Sequence, residues 1–290
     1  MDKRPPSLPI SLFRGGRLAL HLFYAALLAI FYPHLKQATR RRILKTWSRQ
    51  LLSILGIGIR TEGQWPVRGE GGYLVVANHV SWLDIFVLNT IYPSRFIARA
   101  EVRDWPLIGW LCKRGNTIFI ERSMRQDAAS ANRHVSTLLK QGVCIGLFPE
   151  GTTTDGKRAG HFHSAHIQPA IDAGAMLCPI ALRYQDGNGK QSAAAAFTGD
   201  ITLAQSIWRI LRSPRFDALL TFTPALPATG ENRRALARAA QEAISQELLN
   251  ISAMRCAPEP ETPSAVAETL LSAQSAYVPP LRPLPVQTPK

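Results

Sequence analysis

At 290 residues and 46% hydrophobic content, the chain can bury one substantial core, or a core plus appendages. Only 19% of residues are charged, yet 34 Lys and Arg face 20 Asp and Glu, a formal +14 that predicts an anionic partner, either nucleic acid or an anionic membrane surface. The four cysteines (Cys112, Cys144, Cys178, Cys256) form no CxxC pair and have no His at zinc spacing, which excludes a zinc module. Cys144 and Cys178 lie inside apolar runs and read as small core residues, consistent with a reducing, cytoplasmic environment.

The first predicted element follows Lys3, Arg4, Arg14 and Arg17: an apolar helix from Leu18 to Phe31, closed by Tyr32-Pro33. A spanning helix needs ~20 apolar residues. This stretch is short, so it either tilts one end into the headgroups or dips into one leaflet. An ordinary buried helix is the competing reading, weakened because nearly every side of the helix is apolar. No A-x-A-like cleavage site follows the stretch, so no cleavable signal peptide is expected.

A second helix comes next. Ile43, Leu44, Trp47, Leu51, Ile54 and Leu55 recur at helical spacing, and Arg40, Arg41, Arg42, Lys45 and Arg49 crowd the polar side. A basic amphipathic helix with a Trp near its apolar face suits an anionic headgroup boundary, where each cation adds about 1 kcal/mol. The alternative is a helix packed on the domain. Nucleic acid is not expected as a partner, because the basic residues flank an apolar anchor and no recognised nucleic-acid motif accompanies them. Residues 1–60 therefore read as two membrane-anchoring helices.

Residues 61–255 change pattern. Buried-strand candidates are Gly72–Ala77, Arg95–Arg99, Thr117–Ile120, Val143–Phe148, Met176–Leu182 and Leu219–Phe222. Helices fall between them: Ser81–Thr90, Gln126–Gln141 ended by Gly142, Gln168–Ala173 ended by Gly174, and later Glu231–Leu249. Strands separated by helices imply an α/β fold with a mainly parallel sheet flanked by helices. Residues 256–290 are Pro-rich and read as a disordered tail, with one apolar cluster from Val266 to Leu271.

Three constellations carry chemistry. In Asn78-His79-Val80-Ser81-Trp82-Leu83-Asp84 a strand ends at Asn78 and delivers His79 to a turn; Ser81 caps the next helix and places Asp84 in its first turn. A carboxylate on one imidazole nitrogen fixes the tautomer and leaves the other as a base. In Phe148-Pro-Glu-Gly-Thr152, Pro149 ends a strand and Gly151 permits a tight turn beside Glu150, a carboxylate that either binds substrate hydroxyls or serves as a cap. In Gly115-Asn-Thr-Ile-Phe-Ile-Glu-Arg122, Arg122 follows a strand and offers a fork of donors to a phosphate, or pairs with Glu121 on the surface.

In order and spacing the three motifs resemble the NHxxxxD, GxxFIxR and FPEGT motifs of the glycerolipid acyltransferase family, over Leu74 to Tyr184, with Leu177-Cys-Pro179-Ile-Ala-Leu matching a later apolar segment with proline. The resemblance implies direct transfer of an acyl group from acyl carrier protein or acyl-CoA to a lyso-lipid hydroxyl, with no covalent acyl-enzyme, cofactor or metal. It implies His79 as the base, Asp84 as its orienter, Arg122, Gly115, Glu150, Gly151 and Thr152 around the acceptor, and Pro179 shaping the pocket. The implied reaction is acylation of 1-acyl-glycerol-3-phosphate at its sn-2 hydroxyl, giving phosphatidate at the cytoplasmic face of the plasma membrane. Family members commonly continue with Pro-Phe-Lys, where this chain has Gly160-His-Phe-His163; an imidazole in place of an ammonium keeps another acceptor, such as a lyso-ornithine lipid, open. A non-catalytic basic protein docked on anionic lipid is the alternative from a different class. A hydrolase acting through Ser81 is disfavoured, since no glycine-flanked strained turn surrounds it.

Overall fold

The computed structural model of the chain describes residues 6–65, 72–120 and 125–253. Arg122 and the stretch 256–290, with its Val266–Leu271 cluster, lie outside those residues. Two helices come first, α1 (Leu8–Phe31) and α2 (Gln37–Leu55), then strands β1 (Ile57–Glu62) and β2 (Tyr73–Ala77). After helix α3 (Asp84–Ile91) come β3 (Arg95–Arg99), α4 (Ile108–Arg114), β4 (Ile118–Ile120), α5 (Arg125–Lys140) and β5 (Ile145–Leu147). The remainder is α6 (Gln168–Ala173), β6 (Met176–Gln185), α7 (Leu203–Leu211), β7 (Phe216–Phe222), the two-residue β8 (Leu226–Pro227) and α8 (Arg233–Ala253).

The strands form one sheet in the order β1-β7-β6-β2-β5-β3-β4, with β8 also on β6. Pairing is parallel except where β7 and β8 run antiparallel to β6, so the sheet is mainly parallel, as expected. All five residues of β2 are buried, the signature of a parallel strand covered on both faces. Side-chain alternation sends Tyr73, Val75 and Ala77 into one core with α2, α3 and α7, and Leu74 and Val76 into another with α5, α6 and α8.

The N-terminal helices differ from expectation in an instructive way. The apolar side of α2 is committed to the protein: Leu51, Leu52, Ile54 and Leu55 are at most 7% exposed and join the core beside α3. Each such burial is worth roughly 1.5–3 kcal/mol, so α2 does not offer this face to a headgroup boundary. It ends at Gly56, whose φ of +78° suits glycine in the left-handed cap. The boundary expected at residue 60 falls inside β1, and α1 and α2 belong to the same compact unit as the sheet.

Helix α1 starts at Leu8, ten residues before the expected apolar run, and passes through Arg14 and Arg17. Arg14 is accommodated because its Nη1 donates to the carbonyls of Leu211 (3.5 Å) and Ser213 (3.3 Å), the open end of α7. One stripe of α1, Leu18, His21, Ala25 and Ala29, is buried. Elsewhere Phe13, Leu20, Phe23 and Phe31 are each more than 60% exposed. Leu8–His34 is long and apolar enough to cross a membrane by length and composition, with 22% of its most apolar window buried.

Candidate active site

The central strands deliver two loops to the carboxyl edge of the sheet, where open α/β folds place ligands. The first loop starts at Asn78. Its side-chain amide donates to the Leu182 carbonyl (2.9 Å) and its oxygen accepts from the Leu182 N–H (2.8 Å). Asn78 thus extends the β2–β6 ladder by one rung made of a side chain, and the next residue, His79, emerges at a fixed point. The His79 carbonyl accepts from the Thr154 N–H (2.8 Å) and hydroxyl (3.1 Å), while the Val80 carbonyl accepts from the Phe197 N–H (2.9 Å). At Gly156, with φ at +75°, a Cβ would sit 2.8 Å from Val80, so the second loop closes over the first only with glycine there.

Asp84 is fully buried and makes four hydrogen bonds. Its Oδ2 accepts from His79 Nδ1 (2.8 Å), the Val80 N–H (2.7 Å) and the Ser81 N–H (2.9 Å); its Oδ1 accepts from the Tyr184 hydroxyl (2.7 Å). A buried carboxylate needs such a complement of donors to remain an anion. The expected Ser81 cap is replaced by this arrangement: the Ser81 hydroxyl is buried with no hydrogen-bond partner among the described residues, and Asp84 caps the preceding turn. Burial, followed by the Asp84 charge and hydrogen bond, pushes the Tyr184 phenol well above its ordinary range, so Tyr184 acts as a donor.

With Nδ1 turned to Asp84, Nε2 of His79 is the nitrogen left for a substrate, and the side chain is 19% exposed. Phe148 stacks on the imidazole at 4.1 Å between centroids and 7° between planes. Behind it Phe96 stacks on Phe148. The ring therefore has one apolar face, one edge held by the Asp84 carboxylate and one open nitrogen.

Glu150 reaches the same place from the second loop, but turns inward. It is 5% exposed, and its Oε1 accepts from the His79 N–H (3.3 Å). Burial pushes its carboxyl up to about 7; the Gly160 and His79 backbones pull the other way, and the Asp84 charge adds to the rise. Oε2 lies beside Gly160 with no well-aligned hydrogen-bond partner. Gly151 makes the turn at φ +69°, and Thr152 is exposed beyond it. His163 is exposed, its N–H bonded to the Pro149 carbonyl (3.0 Å) and its ring edge-on to His161. Among the described residues no three His, Cys, Asp or Glu groups are placed to hold a metal ion.

Two expected residues stand apart from this cluster. Gly115 ends α4 and lines a cavity beside Arg95, at the amino edge of the sheet. Pro179 is buried within β6, at the point where β6 exchanges β8 for β7 as its neighbour, so its missing N–H breaks no ladder. Four groups to which the motifs gave no role, Asn78, Phe148, Thr154 and Tyr184, hold His79 and Asp84 in register.

A family model described as Acyltransferase matches residues 58–183. The chain is 38% identical to the 1-acyl-sn-glycerol-3-phosphate acyltransferase of Neisseria meningitidis over 207 residues, 71% of this chain and 80% of that protein. It is 36% identical to the lyso-ornithine lipid O-acyltransferase of Pseudomonas aeruginosa over 214 residues, 74% of this chain and 81% of that protein. Among solved structures, the 1-acyl-sn-glycerophosphate acyltransferase of Thermotoga maritima shares the fold with a TM-score of 0.62 at 19% identity, over 84% of this chain and 98% of that one.

Proposed function

The chain belongs to the acyltransferase family, and from that premise we propose that it transfers an acyl group from acyl carrier protein or CoA to the sn-2 hydroxyl of 1-acyl-glycerol-3-phosphate, with His79 as general base. The observation that carries the mechanism is the buried Asp84, saturated by four donors and aimed at Nδ1 of His79. Nε2 removes the hydroxyl proton as the lipid oxygen attacks the thioester carbonyl. The tetrahedral adduct then collapses, the C–S bond breaks, and the thiolate takes the proton from the imidazolium. Asp84 holds the ring and offsets its transient charge. No cofactor or metal takes part.

Glu150 supports the base by holding its peptide, and Thr152 with the exposed edge around His163 faces the acceptor. Arg122 is assigned to the acceptor phosphate by the motif resemblance alone. The exposed apolar side of α1 seats the enzyme in the membrane, with the basic side of α2 turned to anionic lipid at the cytoplasmic face.

A second reading, a lyso-ornithine lipid as acceptor, is favoured by His163 standing where a lysine is expected and by similar identity to relatives of both names. Purified protein, a thioester donor and a panel of lyso-lipids, followed by thiol release, separates the two. Replacing His79 with Ala is expected to lower the rate by roughly 10²–10⁴. An unchanged rate in His79→Ala removes the mechanism, and no thiol release from the unaltered chain with any lyso-lipid returns it to the non-catalytic class.

A further inference from the structure

We propose that the cavity at the amino edge of the sheet binds the phosphate of an anionic membrane glycerophospholipid, gripped by Arg41 and Arg95 with Arg40 beside them. It is a small hollow, about 430 Å³ only when its opening to solvent is counted, lined by Tyr32, Gln37, Arg40, Arg41, Arg95 and Asn116, among others. It is remote from the reacting groups. Arg95 opens β3 opposite Ile145, whereas His79 and Glu150 follow the far ends of β2 and β5, and a five-residue strand spans about 16 Å.

Three guanidinium groups gather here, and among the described residues none of them has a carboxylate within ion-pair distance. Arg40 uses its Nε on the Leu35 carbonyl (2.9 Å). Burial lowers the Arg95 pKa, and the charges of Arg40 and Arg41 lower it further. A fold that crowds like charges around an open hollow is arranged for an anion that the chain itself does not supply, and the arginine fork matches a phosphate. The first turn of α2, where Gln37 sits, adds a positive helix end on the same side. The source of the phosphate follows from the neighbourhood: Tyr32 leads directly out of the exposed apolar end of α1, where Leu27, Ile30 and Phe31 are 46–66% exposed. A lipid beside α1 has its headgroup at the level of the cavity.

The proposal rests on the membrane placement of α1 and not on the acyl-transfer chemistry. The test is co-sedimentation of the full chain with phosphatidylcholine vesicles, with and without phosphatidylglycerol. Arg95→Gln is expected to weaken partitioning onto the anionic vesicles by at least about tenfold. Arg49→Gln, on the exposed side of α2, should cost no more than about fivefold, the effect of one cation near such a surface. The reverse order, or no effect of Arg95→Gln, overturns the site. Failure of the unaltered chain to bind any vesicle overturns the membrane placement and the site with it. Inorganic phosphate at matched ionic strength should leave vesicle binding unchanged; displacement equal to that of Arg95→Gln assigns the cavity to free phosphate and ends the lipid assignment. Arg41→Gln repeats the test from another element, and both variants should keep the rate of thiol release on detergent-dispersed substrates.

Discussion

The two ends of the sheet handle charge in opposite ways. At the carboxyl edge, Asp84 is fully buried and has four donors, from His79, Val80, Ser81 and Tyr184, directed at it. At the amino edge, Arg41 and Arg95 stand together with like charges for neighbours. A saturated charge orients a reactive group and stays put; a charge left with repulsive neighbours lowers stability until a ligand arrives.

Substitutions at the saturated end should have the largest effects. Asp84→Asn keeps the shape but removes the anion, and the rate of thiol release should fall by roughly 10²–10⁴. A fall below tenfold would mean that the carboxylate only packs. Tyr184→Phe leaves Asp84 Oδ1 without its donor, and chemical denaturation should show a loss of about 1.5–3 kcal/mol, the worth of a hydrogen bond to a buried charge.

Glu150 lies between the extremes, since it is buried and only partly satisfied. Its folded pKa of about 7 exceeds the 4.5 of an unperturbed carboxyl, so the folded chain keeps that proton longer than the unfolded one. The group's contribution is complete below pH about 4.5 and is lost as pH rises through about 7. The loss is on the order of 3 kcal/mol. Glu150→Gln should flatten this slope in denaturation curves taken across that window; an unaltered slope would assign it to other groups. The smallest effect is expected at the amino edge. Arg95→Gln relieves like-charge repulsion and should raise lipid-free stability by a few tenths of a kcal/mol, measurable as a small rise in Tm. A clear drop would identify Arg95 as a structural cation.

Much of the architecture was legible because parallel strands buried on both faces read as unbroken apolar runs: β3 spans the residues expected, and β2 and α6 differ by a residue or less. β1 was missed because it follows α2 after a single glycine and its second half, Arg60 to Glu62, is exposed. The helix α7 carried a signal that went unread, the Thr202 and Gln205 capping box. The reversed direction of β7 depends on long-range pairing that no local pattern records. Within the site, His79 and Asp84 stood out through their motif, whereas Tyr184 looked like one more apolar position on the face shared by Cys178, Ile180 and Leu182. The burial of the α2 apolar face needed knowledge of its neighbours, because the same stripe fits a protein core or a lipid surface.

The hydrogen bonds that organise His79 also set the order in which the chain becomes competent. Glu150 holds its peptide from 71 positions downstream, and Tyr184 braces its partner Asp84 from 100. While residues up to the middle of the chain are emerging during synthesis, the histidine is present but its supports are not, and such distant contacts are the slow ones to form. The His79–Asp84–Tyr184 arrangement is therefore complete only after β6 has taken its place beside β2.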